Sequence, residues 1–162
     1  MVQRDKPAGW HPAAAAAASG AFAGGCLLTQ IVTVPAWRRA PNPQAALQAF
    51  RKTGPATGAV LFPIEALATG LLFKVAVSQA QRQQPGASSA LVAALSMAGT
   101  VALLPAYFIR ANTQLLDREH PPASPPTLLR SWSRWNWLRT GLAVLATGLA
   151  ISSNRASAEQ LY

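Results

Sequence analysis

Four apolar stretches, separated by short polar ones, set the plan of this chain. No Asp, Glu, Lys or Arg occurs from Pro7 to Trp37 or from Gln83 to Ile109. The core of each run is long enough to cross a bilayer as a helix rising about 1.5 Å per residue. Two further stretches are apolar except at isolated positions. The pattern predicts an all-α fold: one integral membrane four-helix bundle over residues 1–162, with spans at about 13–35, 55–77, 87–109 and 135–152. In helices every backbone N–H and C=O inside hydrocarbon finds its partner within the same segment.

The connecting stretches fit that plan. Trp37-Arg38-Arg39 closes the first span at an interface, Pro41-Asn42-Pro43 predicts a turn, and Ala45 to Phe50 a short amphipathic stretch before Arg51-Lys52. Pro55 stands in the first turn of the second span, where a missing N–H costs least, and Pro63 predicts a kink. Lys74 is placed to snorkel towards the far interface, and Gln79 to Gly86 reads as a polar turn. Pro105 predicts a bend that frees a carbonyl, with Tyr107 at interface depth. Leu116 to Pro126 reads as an exposed loop, Leu128 to Arg134 as an interfacial helix, and Ser153 to Tyr162 as a polar tail. Gly20 with Gly24, and Gly54 with Gly58, are GxxxG pairs that let helices approach closely. A second reading of the first stretch stays open, a cleavable secretory signal. Arg4 and Lys6 precede its alanines and Ala21-Phe22-Ala23 resembles a cleavage site, although Leu27, Leu28, Ile31 and Val32 continue the apolar run beyond it.

Composition strengthens the membrane reading. The chain is 51% hydrophobic and only 12% charged, where soluble domains carry about 25% charged residues. Its net charge of +9 comes from basic residues scattered through connecting stretches, which fits juxtamembrane charge and argues against a nucleic-acid partner. Nine Lys and Arg fall in the first and third predicted loops against four on the other side, so both termini are predicted away from the cytoplasm. The expected location is a multi-pass membrane protein, in an endomembrane if the source is eukaryotic. Cys26, the single cysteine, has no internal disulfide partner and reads as a small buried hydrophobe.

The candidate chemistry lies in a few polar groups inside apolar stretches. On a helix Trp132, Asn136 and Arg139 fall at i, i+4 and i+7 and share one face. Glu65 is the only carboxylate within a predicted span, about 15 Å from its start. It must be protonated or paired. Two roles stay open for it, a hydrogen-bonded lock between helices or a proton acceptor lining a cavity. Asn112 follows the third span beside Arg110. No nucleotide-binding, metalloprotease, CxxC or nucleophile-elbow motif is present, and His11 and His120 fall on opposite predicted sides, so no metal-ligand set is predicted.

The run Trp132-Ser-Arg-Trp135-Asn136-Trp-Leu-Arg139 resembles the W-x-x-x-N-x-x-R signature of the anthrone oxygenase family of small four-span membrane proteins. The Gly-rich first helix ending before Pro35, Phe50 followed by Gly54 and Pro63, and Asn112 after the third span are similar too. Where fungal members carry an aromatic and a His before the second helix, this chain has Arg51-Lys52-Thr53-Gly54. The resemblance implies oxidation of an anthrone-like aromatic polyketide to a quinone in secondary metabolism. Dioxygen is the co-substrate, with neither flavin nor haem, and the need for a metal is left open. It implies Glu65 as base, Arg139 as the cation for developing negative charge, Asn136 and Asn112 as groups orienting substrate oxygens, and Trp132 and Trp135 as aromatic surface. The expected partners are a small aromatic substrate, the lipid bilayer, and a second copy of the chain or pathway enzymes. A different class stays open beside it: a non-catalytic membrane scaffold assembled through the glycine pairs.

Overall fold

The structure, a computed structural model, describes residues 10–159. Arg4 and Lys6, which enter the orientation argument, and the end of the tail at 160–162 lie outside the described residues. Among the described residues the chain is helical, with no strand. Four continuous helices form: α1 His11–Arg38, α2 Pro43–Gln81 and α3 Ala87–Leu116, and α4 Pro125–Ala158. Each packs on the next in sequence, and α4 returns to α1 to close the bundle.

Helices α1, α2 and α3 are long and apolar enough to cross a membrane. Helix α4 is long enough but not apolar enough, because Asn136 and Arg139 interrupt its most hydrophobic stretch. Both are buried, however, while Trp137, Leu138, Val144, Leu145 and Ile151 of the same helix are exposed. The other helices repeat this inversion: Ile31, Val60, Phe62, Leu95 and Ile109 point outward, and Gln30, Glu65 and Thr100 are buried. An outer surface this apolar, on three helices long enough to cross a bilayer, is what a membrane protein presents to lipid.

Two helices run longer than the polar stretches predict. The second starts at Pro43, where Asn42 Oδ1 accepts the Ala45 N–H at 2.8 Å. Ala45 to Phe50 is therefore its first turns and not a separate element, and Pro55 lies in its interior. Likewise Leu128 to Arg134 continues unbroken into the last helix, since no Pro or Gly intervenes from Thr127 to Thr140. The tail stays helical to Ala158. The bend expected at Pro105 takes the form of a π-helical turn, Leu104–Phe108, in which the Ile109 N–H bonds to the Leu104 carbonyl. A matching turn, Thr29–Thr33, lies just before Pro35. Proline lacks an N–H and its ring clashes with the carbonyl four residues back, and widening the turn by one residue relieves both.

The interior divides into two layers. The layer nearer the chain ends is made largely of alanine, with Ala93, Ala94, Ala143 and Ala146 fully buried beside Phe22, Leu72 and Met97. The other is aromatic, built from Trp37, Phe50, Phe108 and Trp132 with Leu47, Leu115 and Leu129. Close helix approach depends on Gly86, where an added Cβ would collide with the Ser153 backbone carbonyl; at Gly25 it would meet only the movable end of the Leu61 side chain. Of the predicted GxxxG positions, Gly20 makes an ordinary contact with Thr147, while Gly24 and Gly58 face open space.

Candidate functional site

The site forms where the two layers meet. Turned inward from α4, Trp132, Asn136 and Arg139 share one buried face, as their spacing predicts. From α2 comes Glu65, only 1% exposed, and it meets Arg139 as a two-pronged ion pair: Nε to Oε1 at 3.3 Å and Nη2 to Oε2 at 2.5 Å. Desolvating both charges is costly, so such a pair persists only when the fork geometry is good. Two aromatic faces add to it, with the guanidinium carbon 5.0 Å from the Phe22 ring centre and 5.4 Å from that of Phe108. Arg139 is thus held by a carboxylate on one edge and by a ring from each layer.

Above the pair lies a cavity of about 170 Å³, walled by Thr29, Thr57, Leu61, Phe108, Asn136 and Arg139 among others. Its far end is closed by rings in edge-to-face contact, with Trp132 at 5.3 Å from Trp37 and 5.4 Å from Phe108, and Trp37 at 4.9 Å from Phe50. The indole N–H groups of this cap are satisfied: Trp37 donates to Thr53 Oγ1 and Trp132 to Asn112 Oδ1, both at 2.9 Å. Asn136 differs. Its Nδ2 is buried without a hydrogen-bond partner among the described residues, at the cavity wall one turn from Arg139. An unpaired buried donor costs about 1–3 kcal/mol, so the amide is costly to keep unless something else fills its bond.

The structure brings together Asn112, Trp132, Asn136 and Arg139 around one space. Glu65 is not on that wall; it sits behind Arg139. Trp135 does not join them either. It is 37% exposed on another face of α4, stacked on Tyr107 at 5.1 Å, because the inward positions on this stretch of the helix are Trp132, Ser133, Asn136, Arg139 and Thr140, and position 135 is not among them. Not anticipated from sequence were Gln30 and Ser133, which tie α1 to α4 beside the site. Gln30 Nε2 donates to the Ser133 carbonyl at 2.7 Å and Ser133 Oγ to Gln30 Oε1 at 3.2 Å. A lone amide in an apolar run was the available signal, the same one that marks Glu65. Gln79 likewise accepts from Ser153 Oγ at 2.7 Å in the alanine layer.

At the polar rim, Arg51 donates to the carbonyls of Leu115 and Asp117, pinning α2 to the end of α3. Asp117 accepts the backbone N–H groups of His120 and Glu119, both at 2.9 Å. These bonds, His120 first, hold its carboxyl below the usual carboxylate range.

No protein-family model matches the chain, and neither does any curated protein or solved structure.

Proposed function

We propose that all four helices cross the membrane and that the cavity is the site of a membrane-bound oxygenase acting on a flat aromatic ketone of the anthrone type. The observation that carries this reading is the unpartnered Asn136 amide beside the Arg139 guanidinium, in a largely apolar, aromatic-walled space. Arg139 commits Nε and Nη2 to Glu65, and Nη1 makes no hydrogen bond among the described residues. A ketone oxygen placed there meets the cationic donor, and a turn of the Asn136 amide towards the cavity adds the neutral one. Both bind more tightly as the methylene proton passes to water and the ketone oxygen gains negative charge, which is the condition for lowering a barrier and not merely binding substrate.

The overall reaction balances without a reductant. Two C–H bonds of the ring methylene break, a C=O bond forms with one atom of dioxygen, and the other oxygen leaves as water with both hydrogens. Glu65 acts here as a positioning residue, since it reaches the cavity only through Arg139. The carboxylate sets the guanidinium's angle and stops it from swinging towards bulk water.

The scaffold reading requires the buried polar groups to pair among themselves. The Glu65–Arg139 pair suits it, but the cavity and the Asn136 amide do not. The test is to incubate membranes holding the chain with anthrone under ¹⁸O-labelled dioxygen and follow products by mass spectrometry. Anthraquinone carrying one heavy oxygen is expected, with formation lost in Arg139→Met. Label incorporation equal to that of membranes lacking the chain would remove the enzymatic reading.

A further inference from the structure

The cavity is too small for the molecule proposed to occupy it, and the bundle shows where the remainder goes. A cavity of about 150 Å³ holds a single benzene ring, so about 170 Å³ accepts one ring of a fused three-ring system and not all three. Towards the polar rim the space is closed by the Trp37, Phe50 and Trp132 rings. Below, it is closed by the ion pair and the alanine layer. Laterally it is open. Helix α2 packs along the Ala87–Leu103 part of α3 but hardly touches the π-helical turn Leu104–Phe108. Gly58 and Phe62, one turn apart on α2, line the cavity and are exposed, and Leu104 faces them from α3. A Cβ at Gly58 would meet nothing within 4 Å. Elsewhere the outer surface of α2 and α3 is apolar too: Val60 is 61% exposed and Ile109 60%.

From this geometry we infer a lateral portal between α2 and α3, framed by Gly58, Phe62 and Leu104, through which the ligand enters from the bilayer. The ligand class is therefore lipid-dissolved, flat and apolar except at one edge. Its ketone edge lies at Asn136 and Arg139, and the part of its rings that the cavity does not hold lies in the gap against lipid chains. A bulky side chain at Gly58 would occupy this gap, since a Cβ there points into open space. The π-helical turn at Pro105 is the backbone feature that draws α3 away from α2 at this level. The inference rests on the proposed site and deepens it.

The experiment uses the chain in lipid nanodiscs without oxygen, so that anthrone binds but is not consumed. Stopped-flow quenching of tryptophan fluorescence reports arrival beside Trp132. In the wild type, the arrival rate should follow anthrone per lipid when the lipid-to-water ratio is varied, and not its aqueous concentration; this arm needs no substitution. Gly58→Phe should slow arrival at least about tenfold. Gly24→Phe, a control at another open glycine on α1, should leave it unchanged. A rate that follows aqueous concentration, or arrival unaffected by Gly58→Phe in a folded protein, overturns the portal while leaving the site in place. Absence of any binding by the wild type overturns the site itself, and the portal with it.

Discussion

The two layers of the bundle solve the same packing problem in opposite ways. In the alanine layer, small side chains let four helices close on one another, and Ala93, Ala94, Ala143 and Ala146 leave no room for a ligand. In the aromatic layer large rings hold the helices apart, the rings meet edge to face, and the space between them is not filled. One layer is a clamp and the other a chamber. Arg139 sits at the boundary with a ring from each layer against it, which makes the ion pair the joint between stability and binding.

The comparison can be broken first at that joint. Arg139→Met leaves Glu65 buried and uncompensated, and loss of one partner from a buried pair costs about 3–5 kcal/mol. Thermal unfolding in detergent should show a large drop, with much of it restored in the double variant Glu65→Gln/Arg139→Met. Next, one change of size should separate the layers. Ala143→Leu inserts bulk where none fits and should cost about 1–3 kcal/mol. Asn136→Leu, on the same helix, removes an unpaired amide and fills part of the cavity, so it should leave stability unchanged or raised while weakening ligand binding at least about tenfold. If both leucines destabilise equally, the chamber is not a chamber. Trp135→Phe, outside the cavity, should shift stability by less than about 0.5 kcal/mol and leave binding intact.

The smallest effect lies at the rim. Because the folded carboxyl of Asp117 titrates below its ordinary range, its bonds to Glu119 and His120 are present at neutral pH. They are lost as pH falls through that depressed value. Amide exchange at Glu119 and His120 should therefore quicken in acid, and Asp117→Asn should remove the pH dependence without unfolding the bundle.

Much of this architecture was legible in the order of apolar and polar residues. Charge-free runs mark α1 and α3, and the i, i+4, i+7 spacing marks the inner face of α4. Helix length was harder to read, because proline inside α2 looks like a boundary when its neighbours in space are unknown. Glu65 and Arg139 could each be marked as groups needing a partner, but not as partners of one another, since their meeting depends on how α2 and α4 rotate within the bundle. Trp135 shows the converse limit. It lies within the motif, yet a helix turns it 100° per residue away from the site. The cavity could not be read from sequence at all, because it arises from rings on four helices and from a one-residue widening of α3.

The central property to measure is the hold of Asn136 and Arg139 on an oxygen of an apolar ring system. Equilibrium binding of anthrone without oxygen, in nanodiscs holding the wild type or Asn136→Leu, measures this. Saturable binding by the wild type, weakened at least about tenfold in a variant that melts no lower, is the predicted result; a tenfold loss corresponds to about 1.4 kcal/mol, the scale of one buried hydrogen bond. Equal affinity in the two proteins would contradict it.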